Sequence, residues 1–154
     1  SKGLATFSAV LVLASCVGQP APKQSFYEDT MQAHDVWRLP LIEPYQLVTA
    51  YCCAGWSSGP GSEMDRDFGF TNSVDSVDIQ HNLILMHTTD EPQPNWYVLD
   101  LRSRSKRGFE TRDSLVTYVH SAGVTLHLNS AAMTYEGWQK GKPLPWAQRI
   151  PAKR

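Results

Sequence analysis

His81-Asn82-Leu83-Ile84-Leu85-Met86-His87-Thr88 and Trp96-Tyr97-Val98-Leu99-Asp100-Leu101 are the two runs that carry the clearest strand signal in the chain. Both are short and rich in aliphatic or aromatic side chains, which suits a pleated backbone. Successive side chains on a strand point to opposite faces. Leu83, Ile84, Leu85 and Met86 therefore put apolar groups on both faces, which belongs in the middle of a sheet rather than at its border. Between the two runs, residues 90–95 carry Pro92 and Pro94 and read as a turn.

Working back, residues 45–53 alternate Tyr45, Leu47, Thr49 and Tyr51 against Gln46, Val48, Ala50 and Cys52, a strand pattern. Pro40 and Pro44 bracket Leu41-Ile42-Glu43 and keep it extended, and residues 34–40 lead into the domain. Residues 73–79 alternate as a further strand. Residues 55–62, Gly-Trp-Ser-Ser-Gly-Pro-Gly-Ser, read as a flexible loop. The acidic residues 63–67 extend that loop, and Phe68-Gly69-Phe70 reads as a short strand.

Working forward, residues 102–108 form a polar hairpin tip and Phe109 returns to the core. Thr111 is placed to cap a helix over residues 112–122, with Asp113 in its first turn. Leu115, Tyr118, Val119 and Ala122 form the apolar face of that helix, and Gly123 ends it. Val124, Leu126 and Leu128 alternate with polar residues as a last strand. Residues 130–154 pack irregularly and end in a basic tail. The fold class is α+β, a mainly antiparallel β-sheet with one helix near residues 112–122. The globular unit spans residues 36–154, and residues 16–35, rich in Pro and Gln, read as a flexible tether.

Charge is unevenly distributed. Residues 17–101 hold 3 Lys/Arg against 12 Asp/Glu, and residues 102–154 hold 10 against 3. The densest cluster is Arg102, Arg104, Lys106 and Arg107, a solvated hairpin tip or a contact for an anionic partner.

Other chemistry is thinly signalled. Gly55-Trp56-Ser57-Ser58-Gly59 fits the Gly-x-Ser-x-Gly nucleophile elbow, with Ser57 as nucleophile, Asp90 or Asp100 and then His120 or His127. A plain glycine-serine loop fits as well. His81 and His87 share one strand face but lie roughly 20 Å apart, too far for one metal ion. Glu63, Asp65 and Asp67 lack the calcium-loop pattern. No metal or other cofactor is expected. Cys52 and Cys53 are adjacent, and neighbouring Cα atoms about 3.8 Å apart do not suit an ordinary disulfide.

Residues 4–14 are apolar, follow Lys2, and end in Leu13-Ala14-Ser15-Cys16. The stretch is shorter than the roughly 20 residues a spanning helix needs. A basic start, a short apolar run and a small-residue site are the parts of an export signal, and Leu-Ala-Ser-Cys resembles the lipobox of bacterial lipoprotein signal peptides. The resemblance implies cleavage before Cys16 and a diacylglycerol thioether on Cys16. It also implies an amide-linked fatty acid such as palmitate. Residues 1–15 are then the signal peptide, and acyl chains on Cys16 supply the membrane attachment. Val17 rather than Asp after the cysteine implies the outer membrane over the inner. Separately, Trp96-Tyr97-Val98-Leu99-Asp100, a basic turn and the helix that follows are similar to a pattern in small bacterial lipoproteins of unassigned function.

The expected role is a membrane-anchored envelope lipoprotein that binds a protein partner or supports a complex without catalysis; neutralising a toxin that acts in the envelope would be one form of this. The alternatives are a small periplasmic serine hydrolase using Ser57, or a module that binds anionic lipid through the 102–107 hairpin. A nucleic-acid partner does not fit an exported protein.

Overall fold

β6 (Leu83–Thr88) lies between β5 (Ser73–Gln80) and β7 (Trp96–Asp100), antiparallel to both. Its two apolar faces account for that central place. Ile84 and Met86 enter one hydrophobic core, and Leu85 enters another on the opposite side. The computed structural model describes residues 26–27, 31–33, 36–50, 55–92 and 94–149. Cys16, the apolar leader, Cys52 and Cys53 lie outside the described residues.

Around this centre the chain runs as a meander. β1 (Met31–Ala33), β2 (Val36–Ile42), β3 (Tyr45–Ala50) and β4 (Trp56–Ser57) precede β5, and β8 (Ser105–Phe109) follows β7. Each pairs antiparallel with the next, in the order β1 to β8. β9 (Asn129–Ser130) pairs with β5 through Val77↔Asn129 and Ser76↔Ser130. Such a chain needs only short turns between neighbours.

The mainly antiparallel sheet is as expected, but the described residues hold three α-helices, not one. α2 (Arg112–Ser121) is the anticipated helix. The Thr111 hydroxyl accepts from the Ser114 N–H, and Leu115 and Val119 are buried. Ala122, counted on its apolar face, is exposed. α1 (Glu63–Phe68) replaces the acidic loop. Ser62 caps it by accepting from the Asp65 N–H, Gly69 closes it at φ +58°, and Met64 and Phe68 share its buried face. Two apolar residues at i and i+4 are a faint period in a six-residue helix, so the caps carry most of the signal. Phe68-Gly69-Phe70 is thus the helix end and its exit, not a strand. α3 (Ala131–Gln139) occupies part of the stretch expected to be irregular; Ser130 caps it, and it buries Ala131 and Tyr135.

Three smaller corrections concern strands. Residues 36–42 form β2 instead of a lead-in, with Pro40 inside the strand opposite Gln46. His81 and Asn82 form the β5–β6 turn, with His81 at φ +54°, so the strand starts at Leu83. Residues 124–128 keep alternating burial but form no ladder. They pack Val124, Leu126 and Leu128 on the smaller core, where a sheet face offers no backbone partners. Phe26, Tyr27 and β1 fall within residues 16–35, the expected tether, yet are already placed against the domain. The Phe26 carbonyl accepts from Arg38 at 2.7 Å, and β1 pairs with β2.

The larger core holds Leu39, Leu41 and Leu47 from the first strands, Phe70, and residues of α1 and α3. Trp146 is fully buried there and donates its indole N–H to the Pro40 carbonyl at 3.2 Å. The smaller core sandwiches Leu85 and Val98 under Leu115 and Val119 of α2. Among the described residues, no helix is long and apolar enough to cross a membrane.

Candidate functional site

The β7–β8 hairpin carries the densest basic cluster, and the structure divides it. Residues 101–104 make the turn. Asp100 Oδ1 accepts from the backbone N–H groups of Arg102 at 2.9 Å and Ser103 at 3.3 Å. Burial pushes the Asp100 carboxyl up. The hydrogen bonds from Arg102 and Ser103, with the Arg102 charge, outweigh that and hold it below the usual carboxylate range. Arg104 takes the left-handed conformation at φ +52°. The turn is therefore pinned from its base.

Arg102 and Arg104 sit at this tip, exposed and without an ion pair among the described residues. Lys106 and Arg107 leave it. Lys106 stands opposite Leu99 and Arg107 opposite Val98, so the two point to opposite faces of the sheet. The Lys106 ammonium donates to the Gly69 carbonyl at 2.8 Å, beyond the end of α1. The Arg107 guanidinium lies 4.9 Å from the Tyr118 ring centre and 5.5 Å from that of Phe109, a cation–π position against α2. Two of the four residues thus bind the hairpin to its own domain, and two face outward. β8 pairs only with β7 among the described residues, so its other edge is open.

Ser57 is not presented as a nucleophile. It sits within β4, paired with Ser73 and Val48, and is half-buried. An elbow serine stands on a strained turn between strand and helix. Here that turn belongs to Gly59 and Gly61, at φ +77° and +73°. The neighbouring Ser58 is the buried one, and its hydroxyl donates to the Phe70 carbonyl. His120 and His127 are exposed, on α2 and on the extended stretch after it. Nothing in this geometry supports the hydrolase reading. Among the described residues, no group of three His, Cys, Asp or Glu side chains could hold a metal ion.

One arrangement was not legible in the sequence. Val74 faces Thr88 and Ser76 faces His87, so Asp75 is an extra residue on β5, a β-bulge. Bulges re-aim side chains. The Asp75 carboxylate here lies 2.8 Å from His87 Nδ1. The His87 ring packs 4.2 Å from Trp96, and both border a small cleft with Ser76, Arg112, Leu126 and Leu128. The carboxylate can orient the imidazole as in a general-base pair, but no hydroxyl is hydrogen-bonded to the ring among the described residues. Alternation rules alone would place Asp75 and Ser76 on opposite faces.

Comparison with family models, with curated proteins and with solved structures finds no match to this chain.

Proposed function

We propose that the chain is a bacterial envelope lipoprotein, acylated at Cys16 and carried on the outer membrane. Its domain works as a non-catalytic module that holds an acidic protein segment at the β7–β8 hairpin. The lipobox Leu13-Ala14-Ser15-Cys16 supports the anchor. The binding role rests on one observation: Arg102 and Arg104 stand exposed, without an ion pair among the described residues, on a turn held by Asp100. The open edge of β8 lies beside them and suits an extended segment that adds a strand. Lys106 and Arg107 put charge on this edge strand, which discourages pairing between copies.

The anchor is tested by intact mass and membrane partitioning of the wild type and Cys16→Ser in a diderm bacterium. A diacylglyceryl mass increment and membrane release of the variant are expected. An unmodified Cys16 overturns the anchor. The binding role is tested in the same cells by a photo-crosslinker at Ser105. A discrete protein adduct is expected, and Arg102→Glu with Arg104→Glu should remove it. An adduct that survives charge reversal overturns Arg102 and Arg104 as the residues that hold the partner, and the absence of any adduct overturns the hairpin as the contact.

A further inference from the structure

A second surface lies where the chain leaves the domain toward Cys16. Tyr27 is held there by the backbone N–H of Glu43, which donates to its hydroxyl at 3.2 Å. Tyr27 borders a cleft with Trp138, Lys142 and Pro143. The same Trp138, Lys142 and Pro143 border a second cleft with Met133 and Pro145. The two clefts thus adjoin at Trp138, Lys142 and Pro143. Met133 is 74% exposed and is the one large hydrophobic side chain so exposed among the described residues. Lys140 and Lys142 are exposed at the end of α3 and just beyond it, with Glu136 as the acidic residue of that helix. A half-buried tryptophan, an exposed methionine and lysines form the mixture found at a bilayer's interfacial zone.

The sequence sets how far this surface can be from the membrane. Nine residues separate Cys16 from Phe26, ten Cα steps that reach at most about 35 Å at full extension. A tether of that length raises the effective concentration of the bilayer at the surface beside it to about the millimolar range. Contacts too weak to bind a free protein to a membrane can then orient an anchored one. We infer that the Tyr27–Trp138–Lys142 face, with Met133 at its border, lies against anionic headgroups of the bilayer that holds the acyl chains. The inference rests on acylation of Cys16. It leaves the β7–β8 hairpin for the protein partner.

The test is lysine footprinting of the full acylated chain. The protein is placed in detergent, in phosphatidylcholine vesicles, and in vesicles that also contain phosphatidylglycerol. Each is treated briefly with an amine-acetylating reagent, and modification at Lys106, Lys140 and Lys142 is read by peptide mass spectrometry. Lys140 and Lys142 should react about fivefold more slowly on the anionic vesicles than in detergent, the equilibrium factor for one basic side chain at such a surface. The neutral vesicles should protect them less, and Lys106 should keep its rate. Equal rates in all three, or equal slowing of all three lysines, overturn the inference while an acylated mass leaves the anchor standing. Protection in detergent that grows with protein concentration assigns the face to a second copy and also overturns it. An unmodified Cys16 overturns both readings.

Discussion

The Arg149 guanidinium grips both carboxylate oxygens of Asp78, at 2.7 and 3.1 Å, and Asp78 is fully buried within β5. The Gln80 amide adds a third hydrogen bond at 2.8 Å. Arg149 lies 71 residues further along the chain and also donates to the Pro145 carbonyl. Together with the buried Trp146, this contact fastens the last described turn to the sheet.

Arg149→Ala leaves the Asp78 carboxylate buried with one side-chain hydrogen bond, from Gln80, among the described residues. Removing one member of a buried pair costs about 3–5 kcal/mol. Arg149 is 37% exposed, so the lower end, about 3 kcal/mol, is expected in urea unfolding. Arg149→Lys should recover little, because an ammonium cannot make the two-pronged contact. Recovery of full stability by lysine would mean that charge alone matters here.

Tyr45 donates its hydroxyl to Asp67 at 2.6 Å, which joins β3 to α1. Burial, then the hydrogen bond to Asp67 and its negative charge, push the Tyr45 pKa up to about 12 from 10.0. The folded state therefore favours the protonated phenol. That stability is complete below pH 10 and is lost as pH rises toward about 12. Unfolding free energy should fall across this interval, and Tyr45→Phe should flatten the fall. An unchanged alkaline profile in the variant would assign the loss to other groups.

Gly108 on β8 faces Pro94. A Cβ at this position would stand 2.4 Å from Pro94 Cγ and 3.2 Å from Tyr97 Cε1. A proline ring cannot rotate away, so Gly108→Ala forces the strand or the 90–95 turn to move. Overpacking of this kind costs about 1–3 kcal/mol. The midpoint of urea unfolding should drop accordingly, and a neutral result would show that the turn yields freely.

The two adjacent serines separate by role. Ser57→Ala, at a half-buried site with no side-chain hydrogen bond among the described residues, should change stability by less than about 0.5 kcal/mol. It should also leave the Ser105 adduct intact. Ser58→Ala removes the buried hydrogen bond to the Phe70 carbonyl and should cost about 1–2 kcal/mol. A greater loss at Ser57 than at Ser58 would reverse this assignment.

The hairpin shows how far sequence reasoning reaches into the candidate site. The four basic residues were visible as a cluster because they are near neighbours in the chain. Their division was not, since it depends on the register Lys106↔Leu99 and Arg107↔Val98 and on what lies over each face. The Asp75–His87 pair was missed for a related reason. It joins residues 12 apart through a bulge, and no local pattern announces a bulge. α1, six residues long, is too short to set up a helical period, and Gly137 interrupts α3.

The central strands, the helix capped by Thr111, the antiparallel class and the Leu-Ala-Ser-Cys run that resembles a lipobox were all legible in the sequence. These depend on short-range rules: alternation, capping, and an apolar run of limited length. Tertiary packing alone buries Asp78 with Arg149. It likewise sets Lys106 against the chain beyond α1 and brings Tyr27 and Trp138 to one cleft. Those contacts join residues 37 or more positions apart. Their partners are chosen by how the sheet and the last turn pack, which no local stretch of sequence encodes.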